Sequence, residues 1–501
     1  MIKEELIIEQ NEKNTTSLEN YFKPFRTGIV GRDFHFDTVY GSQKMLYADW
    51  IASGRLYQPI EDKICNGIGP IMANTHSFSS ESGKETTYHY HEARNIIKQH
   101  VNASGDDILI TTGTGMTGAL NKLLRILDLK AKNDSSLYDS INDKPVIFLS
   151  HMEHHSNQAC WFELDADIVI LPPNEELLIH PEHLENQLNK YKDRSIKIGS
   201  FTACSNVTGI KSPYHELAKI MHKHAGVCFV DFAASAPYVS MDMHPENPEE
   251  KLDAIFFSPH KFLGGPGSCG ILLYDKKLHK KTTPDQPGGG NVKWTTPSGK
   301  QQYHDDLEVR EDSGTPGILQ VMRAALVIKL KESMDPDKMH ARELELLKLF
   351  TNQFKSNSSL HILGSQNENR IGCISFNIEG MHYNLVVRLL NDRYGIQVRG
   401  GWSCASTYAH YLLDIDTETS MGIMNDIEAK NLTDKPGWVR VSLHPTLTNA
   451  ELLFITNAIT AIIDNQKEWA QDYKYNKQSN EFDLVNTSGN TTHSKADFFS
   501  F

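Results

Sequence analysis

Between about residues 100 and 275 the chain repeats one pattern. A short apolar segment ends in a glycine-rich or polar turn, and a helical pattern follows. DDILI precedes TTGTGMTGALNKLLRIL, PVIFLS precedes HMEHHSNQACW, IKIGSFTA precedes CSNVTG, and GVCFVD precedes FAASAP. LDAIFFS then precedes PHKFLGG, and CGILLYD closes the series. Continuous apolar strands alternating with helices predict an α/β fold whose sheet is mostly parallel and buried on both faces. Ligands of such sheets sit beyond the carboxyl ends of the strands. Those ends are where this chain gathers its unusual residues.

The 501 residues suffice for more than one domain. Residues 1–45 read as an arm, and residues 46–317 as the large domain. Residues 318–470 read as a smaller α/β domain, with strand candidates GCISFNIEG, GIQVRGG and WVRVSLH and a last helix through NAELLFITNAITAIIDNQKEWAQ. The polar segment 471–501 is expected to be disordered. A net charge of -13 opposes nucleic-acid and anionic-membrane partners. No apolar run reaches the ~20 residues that span a bilayer, and the N-terminus lacks signal-peptide character. Seven scattered cysteines without metal-ligand spacing fit free thiols in a reducing compartment. A cytoplasmic protein is expected.

Five strand ends carry the chemistry. In TTGTGMTGAL, glycines let the backbone approach an anion, and the helix start at Met116 with Thr117 can hold a phosphate. In HMEHHSN, His154 and His155 follow a strand. Adjacent histidines on an extended chain face opposite ways and no second ligand cluster matches their spacing, so no metal is expected. In CSNVTG, Asn206 sits in a turn, where asparagine is common on conformational grounds alone. GVCFVD ends a buried strand in Asp231, a carboxylate that needs a helix start, a cation or a protonated heterocyclic nitrogen as partner. AIFFSPHKFLGGPG ends another in Ser258, His260 and Lys261. A lysine so placed either snorkels or is used chemically, and burial there lowers its pKa. Each motif alone has an ordinary explanation. Together they supply an anion cradle, a ring to stack, an acid for a ring nitrogen and an amine for an aldehyde, which pyridoxal 5'-phosphate requires. Spacings of about 37, 52, 25 and 30 residues from Thr117 to Lys261 suit successive strands of one sheet.

With these motifs the chain resembles the class V aminotransferase family of pyridoxal-phosphate enzymes (fold type I), most closely its cysteine desulfurase and selenocysteine lyase branch. The resemblance runs from about Tyr47 to Leu453. It implies a mostly parallel seven-stranded sheet in the large domain. It also implies phosphate contacts from the Met116 backbone, Thr117, Ser258 and His260, and a ring stacked by His154. Asp231 would face the pyridine nitrogen, Lys261 would hold the cofactor covalently through its amine, and Asn206 would lie near cofactor and substrate carboxylate. Arg440, in WVRVSL, takes the position of the arginine that grips the substrate α-carboxylate. Arg399 is a further substrate-binding residue that the resemblance implies. VRGGWSCAST matches the segment bearing the desulfurase nucleophile, five residues after an arginine, which carries over to Cys404. The PGGGNV loop (Gly289, Gly290, Asn291) and REDSGTP match segments that meet the neighbouring subunit, so the resemblance implies a homodimer with shared active sites. A sulfur-acceptor protein is the further partner it implies.

Two departures bear on the reaction. Ala234 stands where the family usually has a glutamine that bonds the cofactor's ring hydroxyl. The segment before Cys404 reads Gly-Gly-Trp-Ser rather than Thr-Gly-His-His. The leading expectation is an enzyme converting L-cysteine to alanine with a persulfide on Cys404. Transamination, epimerisation, or another C–S or C–C lyase reaction would use the same Lys261, Asp231 and His154 without Cys404. A non-catalytic binding or regulatory protein on the same fold is the alternative from another class.

Overall fold

The computed structural model describes residues 17–113, 115–132, 138, 140–364, 369–485 and 499–500. Its centre is a sheet of β1 (Asp107–Thr112), β2 (Val146–Ser150), β3 (Asp167–Leu171), β4 (Lys197–Thr202), β5 (Val227–Asp231), β6 (Ala254–Phe257) and β7 (Gly270–Asp275). The spatial order is β1-β7-β6-β5-β4-β2-β3. Every pairing is parallel except the two made by β7. The expected mostly parallel, seven-stranded α/β sheet is the fold observed. Six of the strands are the apolar runs read from the sequence. The seventh, β3, is an edge strand and only half-buried, so its apolar pattern is shorter and weaker.

The reversal of β7 follows from its connection. Successive parallel strands need a crossover of a dozen or more residues, usually helical. Between Phe257 and Gly270 there is only a 3-10 turn, Pro259–Lys261, and a glycine-rich exit. The chain therefore doubles back, with Gly264 at φ +82° and Gly267 at φ +92°, conformations that suit glycine. This return packs Lys261 into the middle of the sheet's carboxyl edge.

Helices α1 (Glu81–His100), α2 (Met116–Ile126) and α3 (Ile318–Met334) cover the large sheet. The division expected between residues 317 and 318 falls differently in the packing. Val321, Ala324, Val327 and Ile328 of α3 join the large core, whereas Leu346, Leu347 and Phe350 of α4 (Pro336–Phe354) join a second one. That second core lies under an antiparallel sheet of β8 (Leu360–Ile362), β9 (Cys373–Ile378), β10 (Arg399–Gly401) and β11 (Trp438–Ser442), in the order β8-β9-β11-β10. Helices α5 (Tyr383–Tyr394) and α6 (Asn449–Asp464) pack on it, α6 opening with a capping box between Thr448 and Glu451.

Both chain ends lean on the small domain. Leu46 and Tyr47 pair in parallel with Ile396 and Gln397, and the Ser442 amide donates to the Ala48 carbonyl at 2.8 Å. The stretch just past residue 46, expected in the large domain, is thus stitched to the small sheet. The tail also departs from expectation, because Tyr473–Asn476 and Glu481–Leu484 form an antiparallel hairpin. Alternating aromatic residues explain it, since the Tyr475 and Phe482 rings pack at a tilt against each other and both contact His382. Residues 1–16 of the arm and 486–498 and 501 of the tail lie outside the described residues. No helix among the described residues is long and apolar enough to cross a membrane.

Gly54 shows how tightly the lysine turn is held. Its amide donates to the His260 carbonyl at 2.9 Å, and a Cβ there would stand 1.8 Å from the Phe262 carbonyl oxygen. The obstacle is backbone, which cannot swing aside. Gly54→Ala is expected to destabilise the fold by about 1–3 kcal/mol, read as a lower midpoint in urea unfolding. An unaltered midpoint would mean that the turn can yield freely.

Candidate active site

The carboxyl ends of β1, β2, β4, β5 and β6 converge on one cavity of about 460 Å³. Met116, Thr117, His154, Asn206, Asp231, Ser258, His260, Lys261, Arg399, Cys404 and Arg440 all line it. Eleven residues spread over more than 300 positions of sequence are thereby brought together. Gly289, Gly290 and Asn291 are not among the lining residues. Asn291 is buried in its own loop, where its amide group bonds the Gly288 amide and the Gln286 carbonyl.

One end of the cavity is built for an anion. Gly115 precedes α2 in extended conformation and, as a glycine, has no side chain with which to cap the helix start. The Met116 amide donates to Ser258 Oγ at 2.9 Å, which ties the helix to the turn after β6. A Cβ on Gly115 would lie 3.0 Å from Ser258 Oγ and 3.7 Å from His260 Nε2, so a larger residue would crowd this end. Thr117 Oγ1 donates to Ser156 Oγ at 2.8 Å.

The floor holds an acid and a base. Asp231 ends β5 beside Thr202, its neighbour across the parallel register with β4. Its Oδ1 accepts the Ala233 amide at 2.8 Å. Burial pushes this carboxyl up to about 6, while the Lys261 charge opposes the rise. Burial pulls the Lys261 amine down to about 8, against Asp231, and the guanidinium groups of Arg440 and Arg399 add to the fall. Lys261 is thus readier to be a free amine near neutral pH than a solvated lysine is. Beneath them Glu153 is fully buried and held up at about 8 by burial, so it stays protonated at neutral pH. Its carboxyl group meets Ser150, Thr202 and Asn157, tying the ends of β2 and β4 together.

His154 and His155 divide their work. His154 Nδ1 accepts the Ser156 amide at 3.1 Å, and burial with the Lys261 charge lowers its pKa to about 3. The ring is neutral and lines the cavity. His155 turns instead to the loop after β10. Its amide donates to the Cys404 carbonyl at 2.7 Å, and its Nε2 lies 2.6 Å from Ser406 Oγ. Gln158 and Thr407 bond alongside, at 2.8 and 3.1 Å.

Cys404 is exposed at the rim, in a loop pinned on both sides. Ser403 and Cys404 both adopt left-handed backbone, at φ 54° and 55°. Asn206 Nδ2 donates to the Ser403 carbonyl at 2.6 Å, and Trp438 Nε1 donates to Ser403 Oγ at 3.1 Å. Two buried polar atoms facing this region have no partner among the described residues: Asn206 Oδ1 and Arg440 Nε. Buried polar groups are normally paired, so these two point to a ligand.

Asp49 was not read from the sequence, yet its carboxylate bonds Arg440 Nη2 and Arg399 Nε, each at 3.0 Å. His155, Gln158 and Trp438 were likewise missed as anchors of the Cys404 loop. The one sequence signal for Asp49 is an acid inside the otherwise apolar and aromatic LYADWIA. Ala234 lies in the cavity wall as a methyl group, together with Ala233.

Comparison with known proteins gives the family. The model of the family described as Aminotransferase class-V matches residues 46–453. A probable cysteine desulfurase of Staphylococcus aureus is 27% identical over 394 residues, covering 77% of this chain and 90% of the relative. One from Halalkalibacterium halodurans is 29% identical over 384 residues, covering 75% and 88%. Among solved structures, an apo cysteine desulfurase from Thermococcus onnurineus superposes with a TM-score of 0.69 at 21% identity, covering 84% of this chain and 95% of the other. The cysteine desulfurase CsdA of Escherichia coli superposes with a TM-score of 0.68 at 19% identity, covering 88% and 98%. At such identities these superpositions establish the fold. The family match, which spans most of the chain, establishes more: this protein is a member of the class V aminotransferase family.

Proposed function

We propose that this chain is a pyridoxal-phosphate enzyme acting on an L-amino acid, and that its reaction is the desulfuration of L-cysteine to alanine. The observation that carries the first part is the juxtaposition of Asp231 and Lys261 in one cavity with the glycine-led start of α2. The residues fit the cofactor. The α2 start, Thr117, Ser258 and His260 would hold its phosphate, the neutral His154 ring would stack on it, and Asp231 would face its ring nitrogen. A cationic ring nitrogen gives the buried Asp231 carboxylate the partner it needs. Lys261 would bind it covalently. Once bound, pyridoxal phosphate supplies an electron-withdrawing ring that takes up charge released at the substrate's α carbon.

The chain's own residues do the rest. Arg440 offers its unpaired Nε–H to the substrate carboxylate, and the adjacent Asn206 Oδ1 is free to accept from the substrate or cofactor. Lys261 Nζ takes and returns the α proton, a task suited to an amine whose pKa is about 8. Cys404 Sγ, as thiolate, attacks the substrate sulfur. An S–S bond forms, the Cβ–S bond breaks, and Cβ gains a proton, leaving alanine and a persulfide on Cys404. The likeness to probable cysteine desulfurases, and the resemblance of the Cys404 segment to the one that bears the desulfurase nucleophile, support this reaction. The loop containing Gly289, Gly290 and Asn291 would meet the second active site of a homodimer.

Three outcomes are expected. Lys261→Ala abolishes the visible absorption of the covalently held cofactor and its fixation by borohydride, and lowers turnover by roughly 10³-fold or more. Cys404→Ala keeps that absorption but lowers alanine release from cysteine by roughly 10²-fold or more. Unchanged turnover in Cys404→Ala would move the chain to the transaminase, epimerase or other lyase reactions that need no thiol. Light scattering of the purified protein should give the mass of a dimer, and a monomer would remove the shared-site role of the Gly289–Asn291 loop.

A further inference from the structure

Cys404 belongs to the small domain by its place in the chain and to the large domain by its contacts. Its loop leaves β10 at Gly401 and ends in a short helix, Ser406–Leu412. From the small domain, Trp438 Nε1 donates to Ser403 Oγ. The other anchors come from the segments that follow β2 and β4. Asn206 takes the Ser403 carbonyl, Gln158 bonds Thr407, and His155 takes what lies between them.

His155 engages two consecutive peptides. Its amide donates to the Cys404 carbonyl at 2.7 Å, and its ring Nε2 receives the Ser406 amide at 3.1 Å. Ala405 lies between them, fully buried, with its own amide on the Trp402 carbonyl at 3.2 Å. The Ser406 contact also fixes the protonation of the ring. A backbone N–H can only donate, so Nε2 must present its lone pair and the ring proton sits on Nδ1. The Ser406 hydroxyl, 2.6 Å from the same nitrogen, then donates as well. Partial burial, which lowers the His155 pKa, favours this neutral form. His155 is not among the residues lining the cavity, whereas His154 and Ser156 on either side of it are. Its bond to Cys404 falls on left-handed backbone, φ 55°, a conformation that the surroundings must hold.

We propose that His155 is the positioning residue of Cys404, locking the two peptides after the cysteine so that its thiol rotates from a fixed point at the rim. This rests on the desulfurase reading. His155 never meets the substrate and acts only through the loop. The lock belongs to the segment that also carries His154, so the nucleophile is held in register with Lys261 and Asp231 rather than with the small sheet that leads into it. Attack on a substrate sulfur is sensitive to such placement, since a displacement of about 1 Å costs roughly 10²-fold in rate.

The test compares the wild-type holoenzyme with His155→Ala, His155→Phe, His155→Gln and Cys404→Ala. His155→Phe keeps the bulk of the ring without an acceptor, and His155→Gln returns an acceptor, Oε1, to the Ser406 amide. The alanine and phenylalanine variants should lower kcat for alanine release from L-cysteine by roughly tenfold or more. KM, and the binding of L-alanine followed by the cofactor's absorption, should stay within about threefold of wild type. His155→Gln should bring kcat back to within about threefold of wild type. Alkylation of Cys404 by iodoacetamide, followed by mass spectrometry of its peptide, gives a readout independent of turnover. It should quicken by roughly threefold or more in the alanine and phenylalanine variants, whose loop is released, and not in His155→Gln. Added to Cys404→Ala, His155→Ala should cost nothing further, because a positioning residue has no task once its nucleophile is gone. A merely structural His155 would lower L-alanine binding together with kcat, add its loss to that of Cys404→Ala and leave the alkylation rate unchanged. That pattern overturns the proposal, as does wild-type kcat in His155→Phe, the variant that decides where His155→Ala fails to fold. If Cys404→Ala itself keeps full turnover, the desulfurase reading falls and this inference falls with it; if Cys404→Ala is impaired and His155→Phe is not, this inference alone falls.

Discussion

A buried amine and a buried carboxylate, Lys261 and Asp231, oppose one another at adjacent strand ends, and the site is arranged around their joint desolvation. Neither ion is cheap to bury alone. Burial moves the acid up to about 6 and the amine down to about 8, so the gap between them narrows. That narrowing is useful chemistry, because an amine near its pKa both attacks a carbonyl carbon and shuttles protons. The sheet makes it possible by placing β5 next to β6, and the reversed β7 makes it durable. The glycine-lined return after Lys261, with Gly54 pressed against the Phe262 carbonyl, leaves the lysine turn little freedom.

The second requirement is that the sheet carrying the two arginines be tied to the lysine turn. Residues 46–51 achieve this by belonging to both parts. They pair with the strand that leads into Arg399 and hydrogen-bond the end of the strand that carries Arg440. The next residues reach Gly54, which touches the lysine turn. One short segment therefore spans the two arginines and the lysine that line the cavity. Asp49 is its electrostatic member and Gly54 its steric one.

How much of this could be read in the chain depends on the range of the interaction. Buried parallel strands announce themselves as unbroken apolar runs, so β1, β2 and β4 to β7 were legible, as were the residues at their ends. The motif spacing reflects one or two βα units at a time, which is why residues from Thr117 to Lys261 could be assigned to one edge. Asp49 was not legible, because its partners lie 350 and 391 positions away and a single acid in an aromatic stretch has no periodicity. His155 looked like half of a histidine pair. Only the folded chain shows it reaching Ser406 rather than the cavity floor. The tail hairpin was hidden for a similar reason: its polar composition suggested disorder, while Tyr475 and Phe482 find their apolar partner, His382, almost a hundred residues earlier.

The loop of Cys404 carries the argument about reaction type furthest. Two consecutive non-glycine residues in the left-handed region cost on the order of 1 kcal/mol each or more. Such strain persists only where surroundings enforce it, and here the enforcement is specific. Asn206 and Trp438 hold Ser403, while His155 holds Cys404 and Ser406, and Gln158 holds Thr407. His155 and Gln158 follow directly on His154, whose neutral ring faces the cavity. The same short segment thus sets both the neutral His154 ring and the cysteine backbone. A thiol that had to swing over a long path would gain nothing from this clamp. On the desulfurase reading proposed above, a thiol that has to meet the sulfur atom of a substrate that Arg440 would hold needs its backbone fixed at the rim, leaving only side-chain rotation to complete the approach.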